Sequence, residues 1–381
     1  MAKWRWADLS AAAKLRPIPV AEGNPFAYGV PDCSQSGEFD TSGCPIRIAR
    51  VVYRALYNEL YEIFELSLVD GQWQCNNLCS DTYASNAPAS GGYDPTAYVS
   101  VWNGLDEGVA TVNYVAGDSD IYQIFMPPGW LYQNISNNDG TTPDAMPAAG
   151  RAFGYWDFRN AVDRVVYLGL PDHEIYELSN QNRSSWVCNN LSTNDKTEPP
   201  APTAAGNPMG YCLDIPRVYY RGTDGHIYEL HPEPFWKWQD LSRAAGGAPQ
   251  ARSDPYVYAT DIIRVIYADT AGQIIELMLE ERWKWANLST NDKSASAAPA
   301  AAGNPFGYVT SDGIPRVIYR GTDGHIYELH PEPFWKWQDL SSASGGAPQA
   351  QSDPFGYEIV DNIPRVVYTG ANSHIYELAL Y

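Results

Sequence analysis

Arginine and glutamate recur as pairs within otherwise apolar segments of this 381-residue chain. The Glu follows its Arg by 12 residues in four pairs, by 13 in one and by 15 in another. An Arg–carboxylate pair across two strands helps to set their register, and the same groups can also hydrogen-bond vicinal hydroxyls of a sugar. Both interpretations stay open. The pairs are Arg50/Glu65, Arg164/Glu177, Arg217/Glu229, Arg264/Glu276, Arg316/Glu328 and Arg365/Glu377.

One repeat of the chain lacks this pair. Thr111 and Gln123 occupy the two corresponding positions. Because both charges are missing together, we infer that the Arg and Glu side chains of a repeat serve the same role. We therefore treat each Arg and its Glu as a single unit, and we expect no sugar clamp in the repeat that lacks them.

Tryptophan supplies the apolar half of a candidate sugar site. Seven segments begin with Trp, and in four of them a second Trp follows two residues later, on the same face of an extended strand. The first Trp fits packing between repeats. The second position is Tyr132, Cys75 or Cys188 elsewhere, so the core does not require Trp there, and an indole can stack on the apolar face of a pyranose. The candidate walls are Trp6, Trp238, Trp285 and Trp337.

Sequence signatures of catalysis and of metal binding are missing. The chain has no phosphate-binding loop, no zinc-protease motif, no Gly-x-Ser-x-Gly motif and no dinucleotide fingerprint. We expect no enzyme activity, no cofactor and no metal. Polar residues that recur from repeat to repeat suit multivalent binding, while a glycosidase or lyase at a central channel and a protein-interaction scaffold are the alternatives. The histidines are interpreted as turn residues (His173, His226, His325, His374) or as loop surface (His231, His330).

The elements that position these residues form a repeat. Each of seven units holds a Trp segment, a Gly/Ala/Pro-rich loop, an aromatic segment such as NPFGYV, an R-V-x-Y segment and a segment such as HIYELH. These segments are short, rich in β-branched and aromatic residues, and bounded by turn residues. The pattern predicts an all-β, seven-bladed propeller with four-stranded antiparallel blades. Residues 221–242 and 320–341 are identical, which indicates duplication of a two-blade unit.

The chain ends predict how the ring closes. Residues 4–10 are a Trp segment without partners nearby, and the last unit, 353–381, lacks its own Trp segment. We expect strand 4–10 to complete that blade within a single domain spanning residues 1–381, because pairing removes two exposed edges. One question stays open at the hairpin before HIYELH. A three-residue Thr-Asp-Gly turn puts Arg217 and Glu229 on one face, whereas a two-residue turn puts them on opposite faces.

Composition limits the classes of partner that the protein is expected to bind. A net charge of −20 and a pI near 4.6 disfavour binding to nucleic acid and to anionic membranes, and no apolar run could span a bilayer. The start of the sequence has no signal-peptide pattern, so we expect synthesis in the cytosol, with release by a non-classical route left open. Self-association is also left open. A disulfide between Cys33 and Cys44 is geometrically feasible, and the other four cysteines fit small buried positions.

The combination R-V-[VIY]-Y, DGHIYEL and W-x-W-x-[DN]-L-S resembles the fucose-binding propeller lectins. Blade number and the phrase GTDGHIYEL resemble the seven-bladed Photorhabdus lectin family most, and the Aleuria-type and Ralstonia-type lectins share the pattern. The resemblance covers essentially the whole chain. It implies sugar sites in clefts between adjacent blades and a preference for L-fucose or a related deoxy or O-methylated sugar.

Carried onto this chain, the resemblance makes the six Arg/Glu pairs the polar side of each site and the four second Trp residues its wall. Arg50/Glu65 is expected to be weaker because of the longer insert between the two residues. Clefts that use Cys75 or Cys188 are expected to be weak or empty. Which pair meets which wall is left open.

Overall fold

Four short strands recur in every sheet of the computed structural model. The structure describes residues 3–13, 19–31, 46–80, 87–101, 108–126, 129–137, 145–180, 185–194, 199–291, 296–331, 334–359 and 361–381. Within these ranges the strands form seven four-stranded antiparallel sheets, each a blade of one ring. This confirms the seven-bladed propeller predicted from the repeat. The proposed Cys33–Cys44 disulfide lies outside the described residues.

The strands are numbered along the chain and grouped by blade. Blade 7 takes its outer strand from the start of the sequence, β1 (Trp4–Asp8). Blades 1 to 3 comprise β2 (Val20–Pro31), β3 (Ile46–Tyr57), β4 (Leu60–Val69), β5 (Gln72–Asn77); β6 (Thr96–Val101), β7 (Gly108–Val115), β8 (Ile121–Phe125), β9 (Leu131–Asn134); and β10 (Phe153–Asp157), β11 (Val162–Leu168), β12 (Ile175–Asn180), β13 (Val187–Asn190).

The second half of the ring follows the same order from the inner to the outer strand. Blades 4 to 6 comprise β14 (Met209–Cys212), β15 (Pro216–Arg221), β16 (Ile227–Pro232), β17 (Trp236–Asp240); β18 (Tyr256–Ala259), β19 (Ile263–Ala268), β20 (Ile274–Leu279), β21 (Trp283–Asn287); and β22 (Phe306–Val309), β23 (Pro315–Arg320), β24 (Ile326–Pro331), β25 (Trp335–Asp339). Blade 7 contributes β26 (Phe355–Tyr357), β27 (Arg365–Thr369) and β28 (Ile375–Leu380).

Short helices follow several outer strands: α1 (Leu9–Ala12), α2 (Leu241–Ala244) and α3 (Leu340–Ala343), with a 3₁₀ turn at Leu288–Thr290. Each α-helix begins after the Asp of the D-L-S sequence, whose carboxylate accepts the backbone N–H three residues on, as Asp8 does from Ala11 at 2.8 Å. The Ser of the same sequence ties the helix to the neighbouring strand, since Ser10 Oγ accepts the N–H of Ile375 at 2.9 Å. In the described part of the chain no helix is long and apolar enough to cross a membrane.

The ring closes as the sequence predicts, but the closing strand is shorter than the expected 4–10: it ends at Asp8, whose carboxylate caps α1, so Leu9 and Ser10 are helical. Strand β1 pairs antiparallel with β28, with Trp6 opposite Leu378 and Ala7 opposite Glu377. Trp4 and Leu9 are fully buried by this pairing. Closure therefore removes the edge that β28 would otherwise expose.

The centre of the ring is filled by aromatic rings from the inner strands. Phe355 lies 4.1 Å from Phe26 and 3.7 Å from Phe306, and Tyr256 lies 4.0 Å from Phe306 (ring centroids). The cavity beside them measures about 40 Å³, which is roughly the space of one or two waters. A second cavity, of about 280 Å³, opens near Tyr155, Tyr211 and the start of blade 5.

A polar ring surrounds the axis just before the inner strands, and we call it the axial polar ring. Backbone N–H groups donate to the side chain of the next blade's member: Arg151 to Asn207 (2.7 Å), Asn207 to Asp254 (3.1 Å), Asp254 to Asn304 (2.9 Å), Asn304 to Asp353 (3.0 Å) and Asp353 to Asn24 (2.7 Å). The backbone of Asn24 in turn bonds Asp94. These side chains link each blade to its neighbour around the axis.

Candidate functional site

The hairpin between the second and third strands decides where each Arg/Glu pair points. Gly222 donates to the carbonyl of His226 at 2.8 Å, which leaves Thr223, Asp224 and Gly225 as a three-residue loop. In the resulting register Tyr219 lies opposite Glu229, two residues from Arg217. The open question is thereby settled in favour of one face, so Arg217 and Glu229 project to the same side of the blade.

All six predicted pairs are formed within their own blades. The guanidinium-to-carboxylate distances are 2.5 Å for Arg50/Glu65, 2.7 Å for Arg164/Glu177, 2.8 Å for Arg217/Glu229, 3.0 Å for Arg264/Glu276, 2.9 Å for Arg316/Glu328 and 3.6 Å for Arg365/Glu377. The blade that lacks the charges holds a neutral network instead, in which Gln123 Nε2 donates to Asn113 Oδ1 at 3.1 Å.

In five of the six pairs the Glu side chain is less exposed than its Arg, and in blade 7 the order is reversed, with Arg365 at 4% and Glu377 at 7%. Glu side chains of the six pairs are 0–7% exposed, whereas the Arg side chains are 4–17% exposed. A Tyr of the inner strand covers the carboxylate in several blades, as when Tyr258 Oη donates to Glu276 at 2.7 Å and Tyr28 Oη donates to Glu65 at 2.8 Å. The repeat pattern did not single out these tyrosines, although each stands two residues after another aromatic residue, Phe26 before Tyr28 and Tyr256 before Tyr258, which was a usable signal.

The face that carries the pairs is turned towards the next blade in the ring. Trp130 of blade 2 lies 5.7 Å from the guanidinium of Arg50 in blade 1. Tyr155 of blade 3 rests against Gly210 of blade 4, where an added Cβ would come within 2.1 Å of its ring. The Trp residues of each outer strand lie on the opposite face, since Leu230 pairs with Trp238 and Glu229 with Gln239. Each inter-blade space therefore has polar groups on one side and indoles on the other.

This arrangement answers which pair meets which wall. We call each space a cup and name it by its two blades. The cups join Arg50/Glu65 with Trp130 and Tyr132 (1/2), Thr111/Gln123 with Trp186 and Cys188 (2/3), Arg164/Glu177 with Trp236 and Trp238 (3/4), Arg217/Glu229 with Trp283 and Trp285 (4/5), Arg264/Glu276 with Trp335 and Trp337 (5/6), Arg316/Glu328 with Trp4 and Trp6 (6/7), and Arg365/Glu377 with Trp73 and Cys75 (7/1).

The four candidate walls are not equivalent. Trp6 and Trp285 are 43% and 39% exposed. Trp238 and Trp337 are half-buried, and their indole N–H groups donate to Pro199 O at 2.9 Å and to Ser296 O at 3.0 Å in the loops before their own blades. A cavity of about 380 Å³ lies along Trp285, between β21 and the helix that follows blade 4. In the two outer strands with Cys, the sulfur of Cys75 or Cys188 lies 3.6 Å from a buried Tyr hydroxyl of its own blade.

His231 and His330 correct an expectation. Instead of lying on a loop surface, they form part of β16 and β24, with side chains only 16% and 17% exposed. Both face the same cup as their pair, with Nδ1 at 3.5 Å and 3.4 Å from Glu229 Oε2 and Glu328 Oε2. The Pro-rich HPEPF stretch reads as a turn, but the strand persists through the first Pro. The alternation E-L-H, which places Glu and His on one face, was the available signal.

The pKa of the buried Glu is shifted in opposite directions in blades 5 and 4. Burial raises the pKa of Glu276 even though Arg264 and Tyr258 oppose it. In blade 4 burial acts in the same direction, but His231 and Arg217 outweigh it and hold the pKa of Glu229 below its usual value. Within the described residues no group of three or more His, Cys, Asp or Glu side chains is arranged to hold a metal ion.

Comparisons with known proteins find similar folds among solved structures. No protein-family model and no curated protein sequence matches the chain. Among solved structures, the BP39L lectin of Burkholderia pseudomallei superposes with a TM-score of 0.56 at 10% identity, covering 95% of this chain and 96% of that one. AofleA of Arthrobotrys oligospora gives a TM-score of 0.51 at 13% identity, with 89% and 90% covered. The six-bladed Aleuria aurantia lectin gives a TM-score of 0.48 at 13% identity, with 84% and 96% covered. At such identities the likeness shows the fold alone.

Proposed function

We propose that the chain is a multivalent carbohydrate-binding lectin that binds L-fucose or a related deoxy or O-methylated sugar between its blades, without catalysis. The observation that carries the proposal is the cup itself: the Arg-bearing face of one blade is turned towards the Trp-bearing outer strand of the next, as the contact of Arg50 with the buried Trp130 exemplifies, and the unit repeats around a closed ring. The proposal has two further supports. BP39L, which has the same fold, is named a lectin, and the sequence resembles the Photorhabdus lectin family.

Within a cup we assign the contact with sugar to the guanidinium and the indole. The Glu positions the Arg, because its carboxylate is nearly inaccessible and is already paired. An indole that covers ~40–60 Å² of a sugar face contributes about 1–1.5 kcal/mol. A single shallow site then binds at about −4 to −6 kcal/mol, in the millimolar to high-micromolar range. Several sites on one rigid ring raise avidity by roughly 10²–10⁴ on a glycan-coated surface.

The axial packing weighs against the enzyme alternative. A propeller enzyme would need converging acid and base groups in an open central channel, whereas the cavity of about 280 Å³ among the inner strands of blades 2 to 5 has no carboxylate or histidine among the described residues of its lining, and aromatic rings pack beside it. The other alternative, a protein-interaction scaffold, is distinguished from a lectin by experiment.

A glycan array of the full-length chain, followed by calorimetry with the best glycan, tests the proposal. We expect binding to fucosylated or O-methylated glycans, with a millimolar to high-micromolar Kd for the free monosaccharide, and no change in the glycan after prolonged incubation. An array without hits, or a glycan that is cleaved, would overturn the proposal.

A further inference from the structure

The loops that follow the outer strands alternate between two kinds in the second half of the ring. After blades 4 and 6 the chain forms α2 or α3 and continues with Gly-Gly-Ala-Pro-Gln, whereas after blades 3 and 5 it continues as Asn-Leu-Ser-Thr. The second kind of loop reaches the next blade's second Trp and accepts its indole N–H, at Pro199 and at Ser296. The first kind leaves the corresponding indole open, as the exposure of Trp285 and Trp6 shows.

The arginines of cups 4/5 and 6/7 differ in the same way. The Nε atoms of Arg217 and Arg316 are buried and have no hydrogen-bond partner among the described residues, which is also true of Arg50 Nε, and Asp214 forms an ion pair with Arg217 at 3.6 Å from its Nε. In cup 3/4 the Nε of Arg164 donates to Asp157 at 3.0 Å. In cup 5/6 the Nε of Arg264 donates to Thr260 at 3.3 Å. Arg217 and Arg316 are therefore held by hydrogen bonds to fewer of the described side chains than Arg164 and Arg264, and a ligand in these cups would meet their terminal nitrogens, because the Nε atoms are buried.

The same two cups share a polar set found in none of the others. His231 lies opposite Lys237, and Glu229 opposite Gln239, and the identical pairs recur as His330 with Lys336 and Glu328 with Gln338. All project to the face that carries the Arg. Blade 5, between these two, has Met278 and Ala286 at the His and Gln positions.

The remaining cups lack one of these features. Cup 2/3 has no Arg, and the second Trp is replaced by Cys in cups 2/3 and 7/1. In cup 7/1 both terminal nitrogens of Arg365 bond Asp361. Cup 1/2 presents Tyr132, but its Arg50 lies beneath Trp130 with 8% of the side chain exposed.

We propose that cups 4/5 and 6/7 are the saccharide sites of this chain, two per ring, with Trp285 and Trp6 as their walls and Arg217 and Arg316 as their donors. The assignment rests on the proposed function. In this view the duplication copied a whole site, while the intervening cup was closed by its own loop.

Isothermal titration of the full-length chain with methyl α-L-fucoside tests the assignment. We expect two sites per chain for the wild type, one for Trp285→Ala, one for Trp6→Ala, and at least a tenfold loss of affinity in the double variant. Both indoles are exposed, so these variants should keep the wild-type denaturation midpoint. The matched control is Phe158→Ala, which removes an aromatic ring that is 54% exposed in the turn after β10 and belongs to none of the cups, and it should leave two sites.

The possible failures are distinguishable. Absence of binding by the wild type would overturn the fucose proposal and, with it, this assignment. Binding with a different number of sites, binding that survives in the double variant, or loss of a site in the Phe158→Ala control would overturn the assignment while leaving the lectin proposal in place.

Discussion

At the scale of single residues, the neighbours of a buried glutamate determine how firmly its charge is held. Glu276 has Arg264 and Tyr258 as partners, and burial still raises its pKa. An ion pair of this kind contributes little net stability when complete, because desolvation offsets the attraction. Removing one partner is costly, because the other charge is left buried and unpaired.

Replacing Glu276 by Ala should therefore destabilise the fold. The change leaves Arg264 and the Tyr258 hydroxyl without their acceptor, and breaking such a buried pair costs about 3–5 kcal/mol. Urea denaturation followed by Trp fluorescence measures the loss. Lys284→Ala is the control, because its salt bridge to Glu280 is on the surface and should contribute about 0–1 kcal/mol. Equal midpoints for the two variants would contradict a structural role for the pair.

The sequence predicted the residues of each cup better than it predicted their accessibility. Arg, Glu and Trp were all identifiable because each recurs at an equivalent position of the repeat. Whether Trp238 is open depends on Pro199, 39 residues earlier, which reaches it only after two blades have stacked. No local pattern around Trp238 carries that information, and its W-K-W segment is identical to that of Trp285.

At the scale of elements, the residue directly before the first buried Ile of each third strand is matched to the last residue of the outer strand. Where the outer strand ends in Asp, the matched residue is His; where it ends in Asn, it is Glu, Asp or Gln. Each match is a hydrogen bond. The pairs are His226/Asp240, His325/Asp339, His374/Asp8, Glu62/Asn77, Asp120/Asn134, Glu174/Asn190 and Gln273/Asn287. The turn histidines thus fasten the third strand to the fourth.

Changing His325 to Gln should reduce stability more in acid than in base. The hydrogen bond to Asp339, at 2.8 Å, raises the pKa of His325, and the charge of Asp323 adds to the effect. A pKa raised on folding contributes stability that is complete below the ordinary value of about 6.5 and is lost as the pH rises through the raised value. The difference in Tm between wild type and variant should therefore be largest near about pH 6 and smaller near about pH 8.5.

The double variant His325→Gln/Asp339→Asn is the matched control, because it copies the neutral Gln273/Asn287 pair of blade 5. Its Tm should show no component that titrates in this range. If the difference in Tm between wild type and His325→Gln were the same at every pH from about 6 to about 8.5, the His325–Asp339 pair would contribute no pH-dependent stability.

Strand positions and blade boundaries were predictable because turn residues and alternating apolar residues mark them locally. Two features of the elements were not. The three-residue turn that puts Arg217 and Glu229 on one face competed with an equally plausible two-residue turn. The extension of β16 through His231 opposed the turn preference of Pro232, and pairing with β17 prevailed.

At the scale of the whole molecule, two sets of contacts join blade 7 to the start of the ring. The outer set is β1 with its helix, where His374 lies 2.8 Å from Asp8 and Ser10 accepts from Ile375. The inner set links Asp353 to Asn24 and Thr369 to the carbonyl of Gly23. Loss of one set leaves the other to hold the ring closed.

Deleting residues 1–13 should weaken the ring without abolishing the blades. The deletion exposes the edge of β28 and removes the buried Trp4 and Leu9, which together contribute about 3–6 kcal/mol. Urea denaturation measures the loss, and size-exclusion chromatography detects association through the new edge. Trp6→Ala, which removes an exposed indole from the same strand, should change the midpoint little. An unchanged midpoint in the deletion would show that the inner set alone closes the ring.

The axial polar ring restricts how many blades can be added to the propeller at one time. Around the axis its members run Asn24, Asp94, Arg151, Asn207, Asp254, Asn304, Asp353, so amide and acid take turns except at Arg151. Strict alternation of two residue types requires an even count, and an odd ring must contain one exception. Adding one blade anywhere except beside Arg151 would set two like members side by side, whereas adding two preserves the order. Growth by a two-blade step, as the identical 22-residue stretches indicate, is the smallest change that keeps this order in the half of the ring away from Arg151.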